Sequence, residues 1–168
     1  MGSAGRDQER PAKRMTASPD SGRTRWRPQQ AVRAIAVALV YRGSDVLVMA
    51  VKDDSGALKG WRPLGGAIEF GESAEQAVTR EFREEIGQAV RCVKQLCVLE
   101  NLYDHEGACG HEIVFAFEAE FLDSAAYSAS SYAFVDGGVE NEVAWRPVRE
   151  FTRGTQRLFP EKLVEYLA

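Results

Sequence analysis

A chain of 168 residues, 45% apolar and 27% charged, has room for one domain with a real core and is too apolar to stay unfolded as a whole. Its longest apolar run, the eight residues Ala34 to Tyr41, falls far short of the roughly 20 that a membrane-spanning helix requires, so no membrane partner is expected. The net charge of −4 is divided: residues 1–29 carry +4 and the remainder −8, which disfavours nucleic acid as the main partner of the body.

In chain order, residues 1–29 are rich in Arg, Ser, Gly and Pro and show no apolar period, which predicts a disordered basic tail. They lack the apolar core of a secretory signal, so a cytoplasmic protein is expected. Residues 30–168 are expected to form a single domain. Ala31–Tyr41 and Val46–Val51 are β-rich runs split by Arg42-Gly43-Ser44-Asp45, the pattern of a hairpin. A Gly- and Pro-containing stretch from Gly60 to Gly71 follows, then the clearest helix in the chain. Ser73 can cap it, Gln76 completes a capping box, and Gly87 is a natural stop. Val90–Leu99 and His111–Phe121 read as strands. In the second, Ile113, Phe115, Phe117, Ala119 and Phe121 share one face by alternation. Small and polar residues at 123–138 predict a long loop, Val143–Val148 a short strand, and Phe159–Leu167 a terminal helix with Pro160 in its first turn. The fold class is therefore α/β, a mixed sheet packed between helices. Cys92, Cys97 and Cys109 contain no C-x-x-C pair and read as thiols in a reducing compartment.

The central helix carries the chemistry. Glu81, Glu84 and Glu85 lie at i, i+3 and i+4 and so fall within about 100° of arc, beside a core stripe of Val78, Phe82 and Ile86. Like charges at this spacing cost a few tenths of a kcal/mol when solvated, and more when half-buried. A solvated acidic face balanced by Arg80 and Arg83 is one answer. A divalent cation is the other, and an oxygen-only donor set suits Mg²⁺ or Mn²⁺. The glycines just upstream, Gly65, Gly66 and Gly71, favour the second, because they let backbone approach a phosphate or metal closely. Glu72 is a salt-bridge partner for Arg80 that would lock loop to helix, a structural role.

Gly66 to Glu72, then seven residues, then Arg80-Glu81-Phe82-Arg83-Glu84-Glu85-Ile86-Gly87, resembles the Nudix box, G-x5-E-x7-R-E-U-x-E-E-x-G-U. Every Gly, Glu and Arg position is filled, and Phe82 fits the first bulky position. Gln88 departs from the last, and one residue separates Pro63 from Gly65-Gly66 where many members have none. The resemblance implies an α/β/α sandwich and a magnesium-dependent hydrolase that splits a diphosphate linkage in a nucleotide-like small molecule. It implies that Glu81, Glu84 and Glu85 hold divalent metal, aided by a carbonyl near Gly65, and that Glu84 is the first choice for the base. Glu140 and Glu142 stand outside the box as further candidates, Glu142 being kept as a second catalytic residue because Glu142-x-x-Trp145 resembles a strand found in many members. The resemblance also allows a homodimer.

Trp61, Phe70 and Tyr103 could stack on a base, against core packing for the first two. His105 and His111 have no second histidine at ligand spacing and read as hydrogen-bonding or surface residues. The substrate stays open among nucleoside triphosphates, ADP-ribose, dinucleoside polyphosphates and capped RNA ends, the last being the sole nucleic-acid contact expected. Two other classes compete: a silent nucleotide sensor on the same fold, and an isoprenoid diphosphate isomerase, for which none of the three cysteines sits in a recognisable setting.

Overall fold

The computed structural model describes residues 26–136 and 139–168. Strands β1 (Val32–Arg42) and β2 (Asp45–Lys52) form the expected hairpin, with Tyr41 opposite Val46 and Arg42 opposite Asp45. Gly43 turns the chain at a φ of 59°, a left-handed conformation that glycine adopts without steric cost. The two strands then part company. β1 pairs with β4 (Leu64–Ala67) over Ile35–Ala38, and β2 pairs with β3 (Leu58–Arg62) over Met49–Lys52.

Two strands therefore occupy a stretch that its glycines and proline mark as irregular. The glycines within these strands answer to crowding. A Cβ on Gly60 would lie 2.7 Å from the Phe159 ring, and one on Gly66 would lie 2.4 Å from a Glu81 oxygen.

Helix α1 (Ala74–Ile86) leads into β5 (Val90–His105) and β6 (Ala108–Phe121), a hairpin longer than the hydrophobic pattern alone marks out. Its outer part, from Glu100 to Glu112, is mostly polar and pairs beyond the core, so no apolar alternation announces it. β6 runs parallel to β1, Val32 facing His111 through Val40 facing Ala119, while the other pairings are antiparallel. β7 (Ser131–Asp136), β8 (Val139–Pro147) and the short α2 (Val148–Thr152) follow. The sheet order is β5-β6-β1-β2-β8-β7, with β3 beside β2 and β4 beside β1.

Alternation along β1 divides the interior in two. Ala36, Ala38 and Val40 pack under α1 with Val78, Phe82 and Ile86. Ile35, Val37 and Leu39 point the other way, onto Phe151, Leu158 and Leu163. A strand covered on both faces reads as a continuous apolar run, as β1 does. The result is the expected α/β/α sandwich on a mixed sheet. Phe82, wholly buried, contributes roughly 1.5–3 kcal/mol through its burial.

Two other expectations need correction. The loop predicted at 123–138 contains a 3-10 turn, Ser124–Ser128, and strand β7. Long-range hydrogen bonds fix it, Arg42 donating to the carbonyls of Tyr127 and Ala129 (3.1 Å each) and the Trp145 indole to Ala129 (3.0 Å), and within the segment the Tyr132 hydroxyl donates to Ala126 (2.6 Å). The terminal helix is a 3-10 turn, Glu161–Tyr166, with Pro160 as its cap. The tail prediction lies outside the described residues from 1 to 25, but its last residues dock: Arg27 pairs with Asp54, and Trp26 meets His105 edge-on at 5.2 Å. Among the described residues no helix is long and apolar enough to cross a membrane.

Candidate active site

Both ends of α1 are fixed as its sequence demands, and that fixes the phase of its carboxylates. The Ser73 hydroxyl accepts from Gln76 N–H (3.2 Å), and the Gln76 side chain accepts in return from Ser73 N–H (2.8 Å). Gly87 closes the helix at φ 68°, its N–H donating to Arg83. With Phe82 in the core, Glu81 and Glu85 are half-buried one turn apart on the same flank of the helix, and Glu84 is exposed beside them.

The Gly65–Gly66 step brings the sheet against this helix. On one side, the Glu81 carboxylate occupies the space a side chain at Gly66 would fill. On the other, Gly65 adopts φ 132°, and a Cβ there would stand 2.1 Å from the Ala36 carbonyl. The Gly65 carbonyl accepts from Arg62 Nη2 at 2.6 Å. A guanidinium thus binds the carbonyl that the resemblance makes a metal ligand, and leaves that oxygen its second lone pair.

Arg80 is the hub of the cluster. Its Nε and Nη2 each reach Glu72 at 3.0 Å, Nη2 also donates to the Ala67 carbonyl (2.9 Å), and Nη1 donates to Glu81 (2.8 Å) and Glu84 (3.2 Å). These bonds tie the glycine loop to the helix. The Arg80 hydrogen bond, helped by the Glu69 N–H, holds the Glu72 carboxyl below the usual carboxylate range; the same pairing raises Arg80. Among the described residues no three His, Cys, Asp or Glu side chains close on a common point. The donors nonetheless suit a hard cation: carboxylates one helical turn apart, a glycine cradle beside Glu81, and oxygen throughout.

Glu142 is not brought to this cluster. It stands exposed on β8 opposite Ala133 and alternates with Val143 and Trp145, whose side chains pack with the α1 core, so it points to the opposite face. Glu140 shares that face and is exposed as well. Trp61 is buried in the second core and so offers no open ring face, while Phe70 is fully exposed in the glycine loop. His111 contacts Glu100 at 3.1 Å and His105 packs on Trp26, neither near a metal donor set.

Sequence reasoning missed a polar group at the edge of the second core. The Tyr103 hydroxyl donates to Glu112 (3.1 Å), and the Asn101 amide donates to its other oxygen (3.2 Å). Burial, reinforced by the Glu112 charge, pushes Tyr103 up to about 12. Tyr103 alone stood out in the sequence, as an aromatic; its partner lies on another strand, and no local spacing links them.

Three comparisons bear on what this arrangement is. Residues 31–167 match the model of the NUDIX domain. A segment of 57 residues is 39% identical to the nucleoside triphosphatase NudI of Escherichia coli O139:H28; it covers 33% of this chain and 40% of that relative, so the chain spans well under half of it. A NUDIX hydrolase from Nitrosomonas europaea superposes with a TM-score of 0.58 at 18% identity, over 80% of this chain and 86% of that one. The MutT protein of Methanosarcina mazei Go1 gives 0.58 at 16%, over 83% and 92%. Likeness at such low identity concerns the fold, and it agrees with the three-layer architecture. With the family model spanning both the glycine loop and the capped carboxylate helix, the chain belongs to the NUDIX domain family.

Proposed function

We propose that the protein is a pyrophosphohydrolase that uses a divalent cation, Mg²⁺ or Mn²⁺, to cleave the diphosphate linkage of a nucleotide or nucleoside diphosphate derivative. The observation that carries this is the fit of Glu81 into the space above Gly66, which couples the glycine loop to the helix through the one residue type that leaves room. Glu81, Glu84 and Glu85 would hold the cation, with the Gly65 carbonyl as a further oxygen donor. Bound there, such a cation neutralises phosphate charge and acidifies a water.

The chain's own groups do the rest. Glu84, exposed and in contact with Arg80, would take a proton from the attacking water through whichever carboxylate oxygen the cation leaves open. Arg80, locked by Glu72, keeps the glycine loop seated against α1 so that the carboxylates stay aligned. Arg62, held at the Gly65 carbonyl, would supply positive charge toward the developing phosphate charge, whereas the Arg80 guanidinium is taken up by its carboxylate partners. The NudI relative is a nucleoside triphosphatase, which supports a nucleotide as substrate. A cytoplasmic location fits this chemistry.

The test is a panel of nucleoside triphosphates, ADP-ribose and dinucleoside polyphosphates incubated with the purified chain and Mg²⁺, with products separated by chromatography. At least one should be split at an anhydride bond, and Glu85→Gln should abolish the splitting. Tight nucleotide binding without turnover would instead identify a sensor.

A further inference from the structure

The polar group on β5 and β6 lies on a row that crosses three strands. Asn101 of β5 faces Glu112 of β6, and Glu112 faces Arg33 of β1. The preceding row is Leu99, Val114 and Ile35, all buried in the second core. The polar row is therefore the first beyond the end of that core, on the sheet face away from α1.

Two features make it an ordered polar cluster rather than an ordinary surface. Glu112 is half-buried and receives one hydrogen bond on each oxygen, from Tyr103 and Asn101, so its orientation is set before any ligand arrives. The Tyr103 ring lies over Gly110, where a Cβ would fall 2.2 Å from the ring carbon bearing the hydroxyl; a glycine is required beneath it. Arg33 and Arg62 both lie close enough for their charges to act on the Tyr103 hydroxyl. Arg62 also holds the Gly65 carbonyl, which connects the polar cluster to the glycine loop of the candidate active site.

A carboxylate is acceptor-only, with about four lone-pair sites, so two protein donors leave about two for a ligand. It rejects phosphate and takes neutral donors, while the arginines attract phosphate. A molecule with a phosphate at one end and two adjacent neutral donors at the other satisfies both.

We infer that Glu112, fixed by Asn101 and Tyr103 and flanked by Arg33 and Arg62, is the specificity residue that reads a pair of neighbouring donors on the nucleoside part of the substrate. This rests on the proposed nucleotide chemistry for its ligand class. Two nucleoside features carry such a donor pair: the ribose 2′,3′-diol, and the N1–H and amino group of guanine.

The test is calorimetric binding of ADP, GDP, 2′-deoxyADP and inorganic pyrophosphate, with Mg²⁺, to the parent, to Glu112→Gln and to Asn101→Ala. Folding of each variant is checked by its melting curve. If the diol is read, the parent binds ADP about tenfold more tightly than 2′-deoxyADP; if the guanine edge is read, it prefers GDP to ADP by a similar factor. Glu112→Gln should erase that preference and leave pyrophosphate binding unchanged, with Asn101→Ala shifting it part of the way. The inference is overturned if the parent binds none of the nucleotides, shows neither preference, or keeps its preference in a folded Glu112→Gln. Binding needs no turnover. A chain that discriminates without hydrolysing thus contradicts the proposed reaction alone, and one that hydrolyses with Glu112 irrelevant contradicts only this inference.

Discussion

Gly66 and Glu81 show how much a single position can decide. A methyl group at 66 would meet both carboxylate oxygens of Glu81, at 2.4 and 2.9 Å, and half-buried Glu81 has little room to retreat. Gly66→Ala should lower turnover by about two orders of magnitude while costing roughly 1–3 kcal/mol of stability, as overpacking generally does; steady-state kinetics beside a urea melt separates the two. For the base, Glu84→Gln should reduce kcat by about 100-fold or more, and Glu142→Gln, on the other sheet face, should leave it within about twofold. Glu72 allows a prediction with a definite sign. Its pKa is depressed in the folded protein, so pairing with Arg80 stabilises the fold above the unfolded value near 4.3 and is lost as pH falls through the lower folded value. The parent should therefore be more stable than Glu72→Gln by a constant margin between about pH 6 and 8, and the margin should shrink below about pH 4. Urea denaturation across that range reads it. At this scale the sequence displayed the box residues because they repeat within one helix and one loop. It hid Arg62, Asn101 and Glu112, whose meaning comes from partners on other strands.

At the scale of elements, α1 was legible to its ends because its signals are local: cap, capping box, apolar stripe and terminal glycine. Ser73→Ala should cost about 1 kcal/mol and lower the melting temperature by a few degrees. Phe82→Ala should cost about 3–5 kcal/mol, since Phe82 is wholly enclosed by Phe121 and its neighbours. The elements that escaped prediction share one cause. β3 and β4 are crowded, so their glycines mimic loop signals. The segment before β8 is small and polar, and its order comes from Arg42 and Trp145, with Arg42 also stacked 4.4 Å from the Trp145 ring. Local propensity carries no trace of such distant anchors.

For the whole molecule, a mixed sheet packed between helices was foreseeable from the strand runs with one central and one terminal helix, and the sandwich from the resemblance to the Nudix box, whereas the parallel pairing of β1 with β6 was not. That pairing sets the two working regions on opposite faces of the sheet. Glu81 of α1 lies over Gly66, the Glu112 cluster lies beyond Ile35 and Val114, and Arg62, bound at Gly65, lies between them. A substrate reaching from one to the other would bend around Gly65. The central claim, that α1 presents carboxylates to a hard cation, is tested most directly by Mn²⁺ titration followed by electron paramagnetic resonance, with a non-hydrolysable nucleotide diphosphate present. The account predicts saturable Mn²⁺ binding in the parent, weakened at least tenfold in Glu81→Gln and in Glu85→Gln; Mn²⁺ that stays free with the parent, or binds equally well to all three proteins, would contradict it.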